Sequence, residues 1–186
     1  MEMLIVGIAI WSIVHFIPSL AKPVKLKWQA ALGEKGYMAS FSIIVVTSLV
    51  LIVFGWRSST PEYLYVLPAF TKHIAMLMMV ISIILFGAAK AQTRIKRFIR
   101  HPQLTSIIVW ASAHLILNGD SRSAVLFGSM GIWAILEITL INNREGTWNK
   151  PTAPSLRVEL KGLAISLVML IIIVMIHPYI AGVSIR

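Results

Sequence analysis

Cysteine is absent from this chain of 186 residues. That excludes disulfides, thiolate metal sites and cysteine nucleophiles, and it leaves the redox compartment open. Charge is also scarce, at 13% of residues, against about a quarter in an ordinary soluble domain. Acids are scarcest: seven Asp and Glu stand against 17 Lys and Arg, a formal net charge of +10. So little charge excludes a soluble globular enzyme, a disordered tail and a collagen-like fibre. No serine triad, phosphate-cradling glycine loop or nucleic-acid platform is recognisable, so no nucleic-acid partner is expected.

What is abundant is apolar surface, 58% of residues, with a mean hydropathy of +0.83. A membrane-crossing helix needs roughly 20 mostly apolar residues. Six runs qualify, at about 3–20, 38–56, 70–89, 103–118, 123–142 and 162–183. They are continuous rather than alternating, which argues against barrel strands. The expectation is an all-α polytopic membrane protein, a bundle of six transmembrane helices forming one integral-membrane domain over residues 1–186. The lipid bilayer is its first partner, and no room is left for a separate soluble domain.

Basic residues sort by loop. Lys22, Lys25, Lys27 and Lys35 fall in the first loop, and Lys90, Arg94, Lys96, Arg97 and Arg100 in the third. Arg144, Lys150, Arg157 and Lys161 fall in the fifth, so thirteen of the 17 basic residues lie on one side. Arg57, Lys72, Arg122 and Arg186 lie on the other. The positive-inside rule then places the odd loops in the cytoplasm and both termini outside. Glu2 replaces the basic start of a cleavable signal peptide, so the first span is expected to be retained. Pro102 suits the first turn of span four, and Pro18 is expected to kink or end span one. The fifth loop, 142–161, is expected to be the longest.

Ionisable groups at membrane depth are costly and are functional candidates by default. They are His15, His73, His114, His177 and Glu137, with His101 at the inner boundary. At about 1.5 Å per residue, His15 and Glu137 lie about 7 Å from the inner side and His114 about 20 Å beyond His101. His15, His101 and Glu137 thus group inside, and His73, His114 and His177 outside. His15 and His114 share a local pattern: Trp11 and Trp110 each precede them by one turn on the same helix face. Neutral imidazole in an apolar bundle is a natural axial ligand for haem iron. A hydrogen bond to a neighbouring helix is the commoner fate of one buried histidine, and both readings stand. No lysine lies mid-span, which argues against a retinal Schiff base.

The stretch Arg100-His101-Pro102-Gln103, through Trp110 and His114 to Asn118-Gly119-Asp120, resembles the NnrU family of bacterial inner-membrane proteins. That family also includes the 15-cis-zeta-carotene isomerases. His15-Phe16-Ile17-Pro18-Ser19 and Leu32-Gly33-Glu34 with Tyr37 match as well, so the resemblance covers about residues 5–145. It implies an inner-membrane protein associated with nitrite and nitric oxide metabolism. By similarity to the isomerase branch, it also implies haem b, with iron held by His15 and His114. That branch has a cysteine three residues before the second histidine, where this chain has Ala111.

The depth estimates separate His15 and His114 by about 10 Å along the membrane normal. His73 and His177 match His114 better in depth and are the alternative ligands. His101 and His114 point to largely opposite faces of one helix, so His101 is read either as a helix cap or as a catalytic group with Glu137. Trp11 and Trp110 are expected to pack against the macrocycle, and Arg97 and Arg100 to meet its propionates. The functions in view are a haem b protein acting on nitric oxide or isomerising a lipophilic polyene, and a non-catalytic assembly or transport protein for denitrification. Third comes a membrane methyltransferase using Arg100, His101 and Glu137.

Overall fold

A computed structural model describes residues 1–182, and Arg186 and the last position of span six lie outside them. Those residues form six α-helices and no strand. In order they are α1 (Glu2–Leu20), α2 (Lys22–Ser58), α3 (Thr71–Lys90), α4 (Pro102–Leu117), α5 (Ser121–Glu145) and α6 (Leu156–Ala181), with a 3-10 turn at Arg94–Arg97 before α4. All but α4 are long and apolar enough to cross a membrane. With its 16 residues, α4 rises about 24 Å, short of a typical hydrocarbon core of about 30 Å.

The distribution of side chains is that of a protein dissolved in lipid. Ser48, Ser82, Ser106, Ser123 and Ser166 are buried. Ile43, Phe54, Ile165 and Met175 are exposed at 58–69%. In water such apolar exposure would be an aggregation hazard. In a bilayer it is the solvated face, and small residues take the helix contacts because they let backbones approach.

The chain divides into two compact units, the first Met1–Pro61 and the second beginning at Glu62. In the first, α1 and α2 form an antiparallel hairpin. Gly55 faces the Leu4 backbone, and Gly7 faces Ser48 and Ile52. The connection is the single residue Ala21, whose amide donates to the Ile17 carbonyl at 2.9 Å. Pro18 sits in the last turn and the helix ends two residues later.

The expected first loop is therefore helical. Its lysines at 22, 25 and 27 ride on an opening segment of α2, which is separated from the rest by a break at Gly33 (φ 70°, ψ 171°). That backbone region is open to glycine and strained for other residues. Across the break Trp28 meets Tyr37 edge-on, ring centroids 4.9 Å apart. A straight helix would separate these positions by about 13 Å, so the break turns the segment back on itself.

In the second unit the packing order is α6, α3, α4, α5. Ser82 Oγ donates to the Ser106 carbonyl at 2.8 Å, joining α3 to α4. Gly87 lies against Ser166, joining α3 to α6. A three-residue turn, Asn118-Gly119-Asp120, connects α4 to α5. Asp120 caps α5, accepting from the Ser123 amide at 2.9 Å and from its hydroxyl at 2.8 Å.

The fifth loop is shorter than expected and is not the longest, because α5 runs to Glu145 and α6 begins at Leu156, while the connection from α2 to α3 takes residues 59–70. At the end of this unit that carries Arg94–Arg100, Glu159 accepts from the Thr93 hydroxyl at 2.5 Å and the Arg94 amide at 3.0 Å. Arg100 reaches Gly146 at the same end. The third and fifth basic connections are thus gathered at one end, as charge sorting requires.

Close backbone approach makes a test. A Cβ at Gly55 would enter the Leu4 backbone, which cannot move aside, whereas a Cβ at Gly128 meets nothing within 4 Å. Gly55→Ala is expected to destabilise the protein by about 1–3 kcal/mol. Gly128→Ala is expected to be neutral or stabilising by up to about 1 kcal/mol. Reversible unfolding in mixed detergent micelles measures both.

Candidate functional site

Each tryptophan–histidine pair sits on its own helix, and both adopt the same local arrangement. On α1 the rings of Trp11 and His15 lie 4.3 Å apart, tilted by 30°. His15 Nδ1 meets the Trp11 carbonyl at 2.8 Å. A carbonyl can only accept, so Nδ1 carries the proton and Nε2 the lone pair of the neutral ring. Phe41 of α2 meets the His15 ring edge-on at 5.4 Å, and Tyr37 lies 6.0 Å from Phe41. Within this unit an aromatic row runs from Trp11 through His15, Phe41 and Tyr37 to Trp28.

On α4 the rings of Trp110 and His114 lie 5.0 Å apart, and His114 Nδ1 donates to the Trp110 carbonyl at 2.9 Å. Phe127 of α5 stacks on His114 at 4.3 Å and 25°, and meets Trp110 edge-on at 4.9 Å. The small residues beside His114 are used for helix contact: Ala111 and Ala113 are buried, and Ala111 lies opposite Gly131. His177 of α6 is half-buried. His73 is exposed in the first turn of α3.

A second cluster lies at the basic end of the same unit. His101 is the residue before the first turn of α4, with Pro102 behind it as expected, but its ring does not cap that helix. It reaches across to α5, where Nε2 donates to Asn142 Oδ1 at 2.9 Å. Arg100 donates to the Gly146 carbonyl at 2.7 Å and pairs with Glu145 at 3.4 Å. Arg100, His101, Glu145, Thr147, Trp148 and Asn149 line an open polar cleft of about 350 Å³. Lys150 sits over the Trp148 ring at 5.3 Å. Arg97 is exposed at the end of the 3-10 turn, and Glu137 is buried on α5, five residues before Asn142.

Within the first unit His15 stands with Trp11; within the second, His114 stands with Trp110 and His101 with Arg100. Sequence reasoning missed Phe41, Phe127 and Asn142. The turn between α4 and α5 held the signal for two of them. So short a connection makes the helices antiparallel neighbours, and positions progressively further from it meet in turn, first 114 with 127 and then 101 with 142. The His101–Asn142 bond should contribute about 0.5–1.5 kcal/mol. A double-mutant cycle of His101→Phe and Asn142→Leu in mixed-micelle unfolding should recover a coupling of that size. Strict additivity would refute the bond.

No curated protein and no solved structure matches the chain. The family model described as NnrU protein matches residues 3–185, which takes in both tryptophan–histidine pairs, the Arg100-His101-Pro102 motif and α6. The chain belongs to the NnrU family.

Proposed function

We propose that this chain is a haem b protein of the bacterial inner membrane, with His15 and His114 as axial ligands. The observation that carries the reading is the matched pair of Nδ1–H···O=C bonds from these two imidazoles to Trp11 and Trp110. A metal-ligating histidine almost always donates its other ring N–H in this way, which fixes tautomer and orientation and raises the basicity of the ligating nitrogen. Haem would need from the protein imidazole ligands, here His15 and His114, and apolar walls around them. Each imidazole has such walls within its own unit, Trp11 and Phe41 beside His15 and Trp110 and Phe127 beside His114.

Bound haem iron supplies electron transfer or the binding of a small ligand. The chain's own part is to hold the two imidazoles neutral and oriented, and to keep water from them. In nitrogen-oxide metabolism the small ligand is nitric oxide. In the alternative task the substrate is a lipophilic polyene isomerised about a double bond. Arg100 is tied to Gly146 and Glu145, so Arg97 is the more available of the two for a propionate. His101 and Glu137 are the candidate proton-handling groups near the basic end, which the reading places in the cytoplasm.

The test is an absorption spectrum of the full chain purified from a haem-replete host. A Soret band is expected in the parent and in His73→Ala, and its loss in His15→Ala and in His114→Ala. A colourless parent would overturn the reading. Variants that keep the band but lose co-purifying proteins would favour an assembly role in denitrification instead.

A further inference from the structure

The connection between α2 and α3 holds one more residue tied to this site. Residues 61–70 are exposed except for Tyr65, which is half-buried. The segment is laid over the α4–α5 turn by backbone hydrogen bonds. The amides of Leu64 and Tyr65 donate to the Gly119 carbonyl at 2.7 and 3.1 Å, and the Ser121 amide donates to Glu62 at 2.8 Å. Ser121 Oγ in turn accepts from the Glu62 amide at 3.0 Å. The fit is tight: any Cβ at Gly119 would collide with the Tyr65 carbonyl.

From this strap the Tyr65 hydroxyl reaches the last turn of α4. It donates to the Leu115 carbonyl at 2.5 Å and lies 3.5 Å from the Asn118 carbonyl. The final carbonyls of a helix have no partner within it, and leaving them unmet away from water is costly. Here they are met. The His114 carbonyl accepts from the Asn118 amide at 2.8 Å and from its side-chain nitrogen at 3.1 Å. Tyr65 supplies the donor for the next carbonyl along, that of Leu115, directly after His114.

We infer that Tyr65 is a positioning residue for His114. Its hydroxyl closes the end of α4, so that the turn carrying the imidazole cannot fray, and the ring keeps its bond to the Trp110 carbonyl. The inference rests on the proposed ligand role of His114 for its functional meaning, though not for its geometry. Tyr65 touches no reacting group and acts through the helix end.

The experiment compares the full chain with Tyr65→Phe, both labelled with ¹⁵N in the histidine rings, by NMR in detergent micelles with and without haem. In the parent, His114 should show the widely separated nitrogen resonances of one tautomer. In Tyr65→Phe they should move toward an averaged pair. Transfer of haem to a scavenger protein should quicken roughly three- to tenfold, the scale of one lost hydrogen bond. Gly119→Ala, which lifts the strap without touching the hydroxyl, should act in the same direction. Tyr63→Phe, on a ring 71% exposed, should change neither readout. Unaltered His114 resonances in folded Tyr65→Phe or Gly119→Ala would overturn the inference. A parent without haem would sink the ligand assignment alone, since the ring resonances still decide whether Tyr65 holds the imidazole.

Discussion

Two helices in a bilayer touch where their side chains let the backbones come close, because lipid removes the hydrophobic drive that would otherwise press them together. Here the close approaches are made by Gly7 and Gly55 in the first unit and by Gly87 against Ser166 in the second. Each fixes a crossing point, and register follows from it along the helices. With Leu4 opposite Gly55 and Gly7 opposite Ile52, the hairpin continues to bring His15 to Phe41. The same logic brings Phe127 to His114 once Ala111 faces Gly131. Aromatic contacts at the candidate site thus follow from glycine positions, two to four turns away in the first unit and one turn away in the second. Within each unit, a bulky residue at a crossing would shift the register of every contact beyond it.

How much of this was legible depends on whether the information was local. Six apolar runs translated into six helices, with ends displaced by a few residues except at the start of α2, which lies well before the expected position 38. Pro102 took the first turn of α4, and each histidine was found one turn beyond its tryptophan, since a periodicity of 3.6 fixes both. The opening of α2 was misjudged because span counting sees only lipid-length apolar runs. A lysine-bearing stretch reads as a loop by that measure, although Lys, Leu, Gln and Ala all favour helix. Gly33 marked the break, but a single glycine does not announce a positive φ. Tyr65 was invisible for a different reason. It lies in an aperiodic connection, and its role arises only when that connection is laid over a turn 55 residues away in sequence.

The two imidazoles are oriented by a device that needs only five consecutive residues each, Trp11 to His15 and Trp110 to His114. Orientation is therefore set inside a single turn, before any helix meets another. Packing then closes one side of each ring, with Phe41 edge-on in one case and Phe127 stacked in the other. This division of labour suits a ligand site in a bundle. The tautomer is protected from small shifts in helix crossing, while access to the ring is governed by the neighbouring helix.

The same economy exposes a weakness. Both histidines stand close to a helix end, His15 five residues before Leu20 and His114 three before Leu117. Helix ends are where local opening costs least, so an imidazole oriented by an intrahelical bond is only as steady as the final turn. On α1 that turn is stopped by Pro18 and held by the Ala21 amide on the Ile17 carbonyl, with α2 following at once. On α4 no helix follows directly, and the closure comes from Asn118 and the strap that carries Tyr65. The two ends are secured by unrelated means to the same effect. The orientation of each imidazole is therefore a property of how its helix stops as much as of the histidine itself.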